Sequence, residues 1–332
     1  MQLVRIPDFS RPVSRIALGT RAIGGGEQWP FREGFSAEAI FKAALDEGIQ
    51  FFDTAPSYGE GLAEKRIGDF TRGLSEEILV GTKCGLFRDA EGRYYSDLRP
   101  ASIRREVEGS LRRLRRERLD LLQIHWPDRR TPWAETWEAM QALQAEGKVG
   151  ALGLGNLRGA ALRQALHQCP QAATLQIPFN ALEPRAEGGD LPLCRKKNIS
   201  VLGYSPLAGG LLAGILPHPA EVPPGHARGY SPWLEEPQRS RVWRLVDQWS
   251  HRAAEWGCEL STLVLAWTLR QEGLGVVITG ASTPEQVHSW SRAKDLSLAD
   301  ADYQAMRAEA HQVRKTSPAG ICSLPVTRRR RL

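Results

Sequence analysis

The sequence has few cysteines and no apolar run long enough to cross a membrane. Its five cysteines lie far apart, and none belongs to a C-x-x-C pair. This odd, scattered set indicates reduced thiols rather than disulfides or a zinc centre, so we expect a cytoplasmic protein with no metal site. A membrane-spanning helix needs ~20 consecutive apolar residues, and no run approaches that length. The first residues also lack the apolar stretch of a secretory signal, so we expect no membrane association.

Positive charge exceeds negative charge, but most of the surplus stands at one end. The formal net charge is +6, and Arg328–Arg331 supply four positive charges. A terminal run of one sign is typical either of a nucleic-acid-binding tail or of a solvated end. Because no nucleic-acid-binding motif is found elsewhere, we interpret 316–332 as an irregular, Arg-rich tail and expect no nucleic-acid partner. The sequence gives no indication of oligomeric state.

Short β-rich runs alternate with amphipathic helical runs over almost the whole chain. The centres of the β-rich runs are largely apolar rather than strictly alternating, as expected for parallel strands that are buried on both faces. Pro100, Pro132 and Pro284 each open a helical run, which is a favoured place for proline. The predicted strands are Arg15–Gly19, Phe51–Thr54, Ile78–Lys83, Leu119–His125, Ala151–Asn156, Thr174–Pro178, Ser200–Tyr204 and Val276–Gly280.

Eight such alternations without a long linker predict an α/β fold, a single-domain (β/α)8 TIM barrel over 1–315. An open, doubly wound sheet would need G-x-G-x-x-G after its first strand, and the segment LGTRAIGGGEQWP lacks that spacing. Two segments, 84–98 and 212–240, exceed ordinary barrel loops. We expect these long loops at the C-terminal face to build or cover a pocket. A final helix is predicted over Ala301–Val313.

Polar side chains stand where three successive predicted strands end. Asp53 ends the second strand with Tyr58 in the loop behind it, Lys83 ends the third, and His125 ends the fourth. Because barrel enzymes build their sites at this end of the strands, we expect the four side chains to converge. This group suits proton donation to a carbonyl oxygen, since an ammonium beside a phenol stabilises the phenolate that remains. None of the four supplies electrons, so a hydride carrier is required, and a nicotinamide is the simplest candidate.

Four motifs together resemble the aldo-keto reductase superfamily. They are FFDTAPSYG, LLQIHWPD, GYSPLAGGLL and GASTPEQ, and the resemblance runs from about Ser14 to Lys294. It implies that Asp53, Tyr58, Lys83 and His125 are the family's catalytic tetrad. It also implies an NAD(P)H-dependent oxidoreductase that reduces the carbonyl of an aldehyde, ketone or sugar with Tyr58 as general acid. The cofactor would lie extended across the barrel mouth without a Rossmann fold.

The resemblance also implies which residues contact the cofactor. Those near the nicotinamide and its carboxamide are Gly19, Thr20, Arg21, Asp53, Asn156, Gln176 and Tyr204. Those expected to hold the phosphates are Ser205, Leu207 and Gly209 of the GYSPLAGG loop, together with Arg228. Those at the adenosine end are Gly280, Ser282 and Gln286.

Three departures from the family pattern fall in this same set of contacts. Gly155 replaces a serine, and Ser289 and Trp290 replace a glutamate and an asparagine at the adenosine end. The segment 214–216 replaces a GKY triplet and so loses a lysine near the phosphates. The family's usual preference leads us to expect NADPH, with NADH use possible.

Two other functions are compatible with parts of the sequence. A nucleotide-binding regulatory subunit with little turnover resembles the beta subunits of potassium channels, but those usually carry asparagine where His125 stands. A Schiff-base enzyme would need Lys83 away from carboxylates, and Asp53 argues against that. The substrate stays open; four aromatic residues of the mouth loops, Trp29, Phe87, Trp126 and Trp233, are candidates for lining its pocket.

Overall fold

The computed structural model describes residues 1–26, 29–72, 74, 78–215, 226, 229 and 231–315. Eight parallel strands form a closed barrel at its centre, each paired with the next in the chain and the last paired with the first. The barrel strands are β3 Ile16–Gly19, β4 Phe51–Asp53, β5 Leu79–Cys84, β8 Leu119–Ile124, β9 Val149–Gly155, β10 Thr174–Pro178, β11 Ser200–Tyr204 and β12 Leu274–Gly280. The TIM-barrel prediction is confirmed, and every predicted strand lies within two residues of an observed one.

Helices surround the barrel and pack their apolar faces on the outward side chains of the strands. Ser36 caps α2 by accepting a hydrogen bond from the Ala39 N–H, and Thr283 caps α10 in the same way. Pro132 precedes its helix rather than opening it. The helices are α1 Arg21–Gly24, α2 Ala37–Asp46, α3 Leu62–Phe70, α4 Pro100–Leu114, α5 Trp133–Ala145, α6 Gly159–Gln168, α7 Asp190–Lys196, α8 Gln238–Glu255, α9 Leu260–Leu269, α10 Pro284–Ser291 and α11 Asp300–Lys315.

Two short hairpins were not expected from the sequence. The first, β1 Leu3–Val4 and β2 Val13–Ser14, adds Val13 to the apolar cluster that fills the barrel interior. The second, β6 Leu86–Arg88 and β7 Tyr94–Ser96, occupies the segment that was predicted as a plain loop after the third barrel strand. Its turn is closed by Asp89, whose carboxylate accepts the Arg93 N–H at 2.8 Å. Side-chain and backbone hydrogen bonds within this segment thus form an ordered hairpin where the sequence predicted a plain loop.

The long segment after β11 is shorter than predicted, because α8 already begins at Gln238. Much of the remainder, including Arg228, lies outside the described residues, as does the predicted tail 316–332. The four described cysteines are free. None of the helices in the described ranges has the length and apolar character of a membrane span.

The close contact between α3 and α4 gives a test of the packing. A Cβ atom on Gly68 would lie 2.3 Å from the carbonyl oxygen of Arg113, so the two backbones would have to separate. We expect Gly68→Ala to lower the free energy of unfolding by about 1–3 kcal/mol. Gly188→Ala is the control, because a Cβ there meets nothing within 4 Å. Urea unfolding that gave equal stabilities for the two variants would contradict this packing.

Candidate active site

A buried ion pair links the ends of β4 and β5. Lys83 Nζ lies 2.8 Å and 2.9 Å from the two carboxylate oxygens of Asp53, and it also donates to the Thr54 carbonyl at 2.8 Å. Burial by itself lowers the pKa of Lys83, but the charge of Asp53 and the contact with Tyr58 raise that pKa above its ordinary value. The site therefore holds an ammonium group at neutral pH.

Tyr58 reaches this ion pair from the loop that follows β4. Lys83 Nζ lies 5.1 Å from the centre of the Tyr58 ring, and the two groups interact electrostatically. The loop can pass here because two glycines meet: a Cβ on Gly59 would lie 2.0 Å from the carbonyl oxygen of Gly24. Gly59 also has φ of 61°, which favours glycine. The glycines of this motif thus set the position of the Tyr58 ring.

His125 completes the group from the end of β8. Its backbone N–H donates to the Cys84 carbonyl at 2.9 Å, and its ring is edge-on to Tyr58 with 6.0 Å between ring centres. Burial, assisted by the charges of Lys83 and Arg21, holds the pKa of His125 well below its ordinary value. The imidazole is therefore neutral at neutral pH and can donate one hydrogen bond to a ligand. The structure thus brings the four predicted tetrad residues together.

An elongated groove of about 430 Å³ runs from this group across the barrel mouth. Of the residues that the sequence predicted for cofactor contact, every described one lines it, and only Arg228 lies outside the description. These lining residues are Gly19, Thr20, Arg21, Asp53, Asn156, Gln176, Tyr204, Ser205, Leu207, Gly209, Gly280, Ser282 and Gln286.

Hydrogen bonds hold the polar residues at the tetrad end of the groove. Gln176 donates to Asp53 Oδ1 at 2.9 Å. Asn156 donates to the His125 carbonyl at 2.8 Å and accepts from the Tyr204 hydroxyl at 2.9 Å. Asn156 and Gln176, the residues expected to contact the carboxamide, thus also connect the ends of different strands through hydrogen bonds. The bond from the Tyr204 hydroxyl to Asn156 holds the Tyr204 ring beside the tetrad.

Close backbone packing explains why Gly155 stands where the family pattern has a serine. A Cβ there would lie 2.3 Å from the Ile124 carbonyl oxygen, so this backbone leaves no room for the serine of the family pattern.

The loop after β11 is built to present backbone groups. Ser205, Ala208, Gly209 and Gly210 all have positive φ, and Asn180 holds the loop by donating to the Ser205 carbonyl at 3.1 Å. Successive residues of left- and right-handed conformation form concave sites whose N–H groups bind anions. With amide groups and an aromatic ring at one end and this loop in the middle, the groove fits a dinucleotide.

Carboxylates mark the far end of the groove. Ser289 donates to Glu259 Oε2 at 2.6 Å, and its Oγ lies 2.8 Å from that of Ser261. Glu259, Ser261 and Glu285 all line the groove and were not singled out in the sequence. Trp290 is buried in the core beneath them. Since Glu259 directly precedes α9, only the tertiary structure brings it to the segment 280–286.

A second cavity, of about 930 Å³, opens on the other side of Tyr58. The β6–β7 hairpin forms one wall, and residues of the segments 24–26, 29–31 and 56–62 form the others. Of the four predicted aromatic residues, Phe87 lines this cavity, Trp233 lines the groove, and Trp29 and Trp126 line both. Tyr58 and His125 also line both spaces, so they stand where the groove and the cavity meet.

Comparisons with known proteins show which family the chain belongs to. The model of the Aldo/keto reductase family matches residues 15–310. The chain is 35% identical over 318 residues to the NADH-specific methylglyoxal reductase of Escherichia coli strain K12, covering 91% of this chain and 96% of that relative. It is 32% identical over 305 residues to the aldo-keto reductase YhdN of Bacillus subtilis strain 168, covering 91% of each.

Solved structures agree as well. The glycerol dehydrogenase AKR11B4 from Gluconobacter oxydans matches with a TM-score of 0.85 at 35% identity, over 97% of this chain and 99% of that one. The aldo-keto reductase AKR11C1 from Bacillus halodurans, in its holo form, matches with a TM-score of 0.74 at 25% identity, over 94% and 96%.

The buried ion pair predicts an unusual pattern of stabilities. Lys83→Met leaves the Asp53 carboxylate buried without its cation, and we expect this to cost about 3–5 kcal/mol of unfolding free energy. Adding Asp53→Asn removes the charge, so the double variant should be more stable than Lys83→Met alone. Lys148→Met, which breaks two partly exposed pairs, is the control and should cost about 1 kcal/mol or less. A double variant no more stable than Lys83→Met would contradict the buried-charge interpretation.

Proposed function

Because the chain belongs to the aldo/keto reductase family, we propose that Asp53, Tyr58, Lys83 and His125 carry out its reaction, with Tyr58 as the proton donor. Family membership makes the protein an NAD(P)H-dependent oxidoreductase that reduces carbonyl compounds. The observation that supports these residue roles is that Tyr58 and His125 line both the groove and the cavity. A carbonyl bound in the cavity would meet a cofactor bound in the groove at these two side chains.

Each of the four side chains has a distinct task in this proposal. A bound NAD(P)H supplies the hydride that the carbonyl carbon accepts. The Tyr58 hydroxyl gives its proton to the carbonyl oxygen, and the Lys83 ammonium stabilises the phenolate that remains. Asp53 keeps Lys83 charged and in place. The neutral His125 donates a hydrogen bond to the same oxygen as negative charge develops on it.

Tyr58→Phe separates proton donation from binding. It removes the hydroxyl and keeps the ring, so we expect NADH affinity to be retained and kcat for methylglyoxal to fall by about 10²–10⁴. Tyr95→Phe, on the exposed face of the hairpin, is the matched control and should leave kcat unchanged. Near-normal turnover by Tyr58→Phe would remove Tyr58 from the reaction.

We further propose that NADH is preferred, rather than the NADPH expected from the sequence. Among the described residues that line the groove, the basic ones are Arg21 and Lys83, which both lie at the tetrad end beside His125. The far end carries Glu259 and Glu285 instead. A carboxylate can accept a hydrogen bond from a ribose 2′-hydroxyl, as in NAD-binding sites, and it repels a 2′-phosphate. The NADH specificity named for the Escherichia coli relative supports this proposal.

Glu259→Gln tests the choice of cofactor. At low salt we expect the unmodified protein to bind NADH more tightly than NADPH. Glu259→Gln should reduce the ratio of the two dissociation constants about fivefold, because it removes both a charge-assisted hydrogen bond and a repulsion. Glu272 lies on the exposed surface and pairs with Arg195, so the control variant Glu272→Gln should leave the ratio unchanged. Tighter binding of NADPH with no effect of Glu259→Gln would overturn the preference and leave the reductase assignment standing.

We propose the cytoplasm as the compartment and a small aldehyde, ketone or sugar as the substrate. Free cysteines among the described residues support the first. The names of the relatives support the second, since they include a methylglyoxal reductase and a glycerol dehydrogenase.

A further inference from the structure

The substrate cavity has a carboxyl group in its wall that the proposed reaction does not use. Glu106 projects from α4 and lines the same cavity as Tyr58 and His125. The residue is only 9% exposed, and its Oε2 accepts the N–H of Gly85 at 2.5 Å. No described residue donates a hydrogen bond to its other oxygen, Oε1. One carboxyl oxygen therefore binds the backbone that follows β5, and the other oxygen is available to a ligand.

The neighbouring charges do not neutralise Glu106. The Arg113 guanidinium is paired with the fully buried Glu64 at 2.6 Å, and Glu64 also accepts from the Thr82 hydroxyl at 2.6 Å. Burial raises the pKa of Glu106 to about 8, and the nearby charge of Glu64 adds to this, against the N–H of Gly85 and the more weakly acting Arg113 and Arg105. At neutral pH the group is a carboxylic acid. Because Oε2 accepts from Gly85, the proton belongs on Oε1.

We propose that Glu106 is a specificity-determining residue that hydrogen-bonds a hydroxyl group of the substrate. This inference rests on the proposed function and narrows its substrate class to hydroxy-aldehydes and hydroxy-ketones. A carboxylic acid both donates and accepts a hydrogen bond, which matches a hydroxyl group. The cavity is large enough to hold a chain of several carbons beyond the reacting carbonyl. A substrate without the hydroxyl would leave this buried group without a partner, and such mismatches disfavour binding.

The test compares substrates of equal chain length with and without hydroxyls. Glyceraldehyde is paired with propanal, and erythrose with butanal, and the ratio of kcat/KM within each pair is the discrimination. Glu106→Leu should reduce the discrimination about two- to tenfold, the range that one net hydrogen bond is worth. Glu106→Gln should keep it, because the amide still accepts from Gly85 and still donates into the cavity.

A matched control tests whether the effect of Glu106→Leu comes only from the loss of a buried structural carboxyl group. Asp190 is buried away from the cavity and accepts the N–H of Gly159 at 2.8 Å, as Glu106 does for Gly85. Asp190→Leu should leave the discrimination unchanged. If Glu106 only positions Lys83 through Gly85 and Cys84, Glu106→Leu would lower kcat/KM for both members of a pair equally, and the proposal would be wrong.

The pH profile gives a second readout that does not depend on a variant that folds poorly. Glu106 is protonated below its raised pKa, so discrimination should be constant well below pH 8 and should change through about pH 8, because the carboxylate can still accept a hydrogen bond from the substrate but can no longer donate one. Glu106→Gln should show no such change. A change in the rate of the shared chemical step affects both members of a pair and cancels in the ratio. The charged or titratable groups that face Glu106 or share its cavity are Glu64, Cys84, Arg105, Arg113, Arg21, Tyr58, Glu60, Arg88, Asp89, Glu91, Tyr94 and His125.

The outcomes separate the two proposals. If Glu106→Leu still converts both compounds of each pair and its discrimination is unchanged, the proposed role of Glu106 is overturned and the proposed function stands. Failure of the unmodified protein to reduce any of the four compounds with NADH or NADPH would overturn the proposed function, and the inference would fall with it.

Discussion

The buried ion pair between Lys83 and Asp53 is the interaction on which the rest of the site depends. Burying one charge without the other would be unfavourable, so the pair fixes the ends of β4 and β5 relative to each other. Gln176 extends the constraint to β10 through its bond to Asp53. The ammonium group is thereby held against the Tyr58 ring, and its charge helps to keep His125 neutral. One ion pair therefore sets the geometry around the proposed acid and helps to set the charge state of His125.

The closed barrel explains why two spaces meet at this pair. Parallel strands bring their carboxyl ends to one rim, and the connections that follow them differ in length and conformation. The short loop after β4 carries Tyr58 over the rim, the β6–β7 hairpin stands beside it, and the loop after β11 opens into a groove. The proposed cofactor and substrate sites thus come from different connections on one rigid scaffold. The hairpin lines the cavity and not the groove, so in this proposal its sequence would act on the substrate rather than on the cofactor.

Much of the fold and the meeting of the four tetrad candidates could be predicted from the sequence, because buried parallel strands are largely apolar at their centres and polar residues that follow them mark the rim. Thr174–Pro178 and Ser200–Tyr204 were predicted with their observed bounds. The β6–β7 hairpin was not, since its short strands are partly exposed and its turn depends on Asp89. Glu106 left only a weak signal, a charged residue within the apolar stripe of α4 that contains Ile103 and Val107. Glu259 left none, because its neighbours in the groove are distant in sequence.

The central claim is that the Lys83 ammonium makes Tyr58 an effective acid. The most direct measurement is the single-turnover rate of NADH oxidation by methylglyoxal in Lys83→Met, with NADH affinity measured on the same preparation. The account predicts that NADH still binds, because the groove is lined mainly by other residues, and that the rate falls by about 10²–10⁴. A rate close to that of the unmodified protein, with NADH bound normally, would contradict the claim.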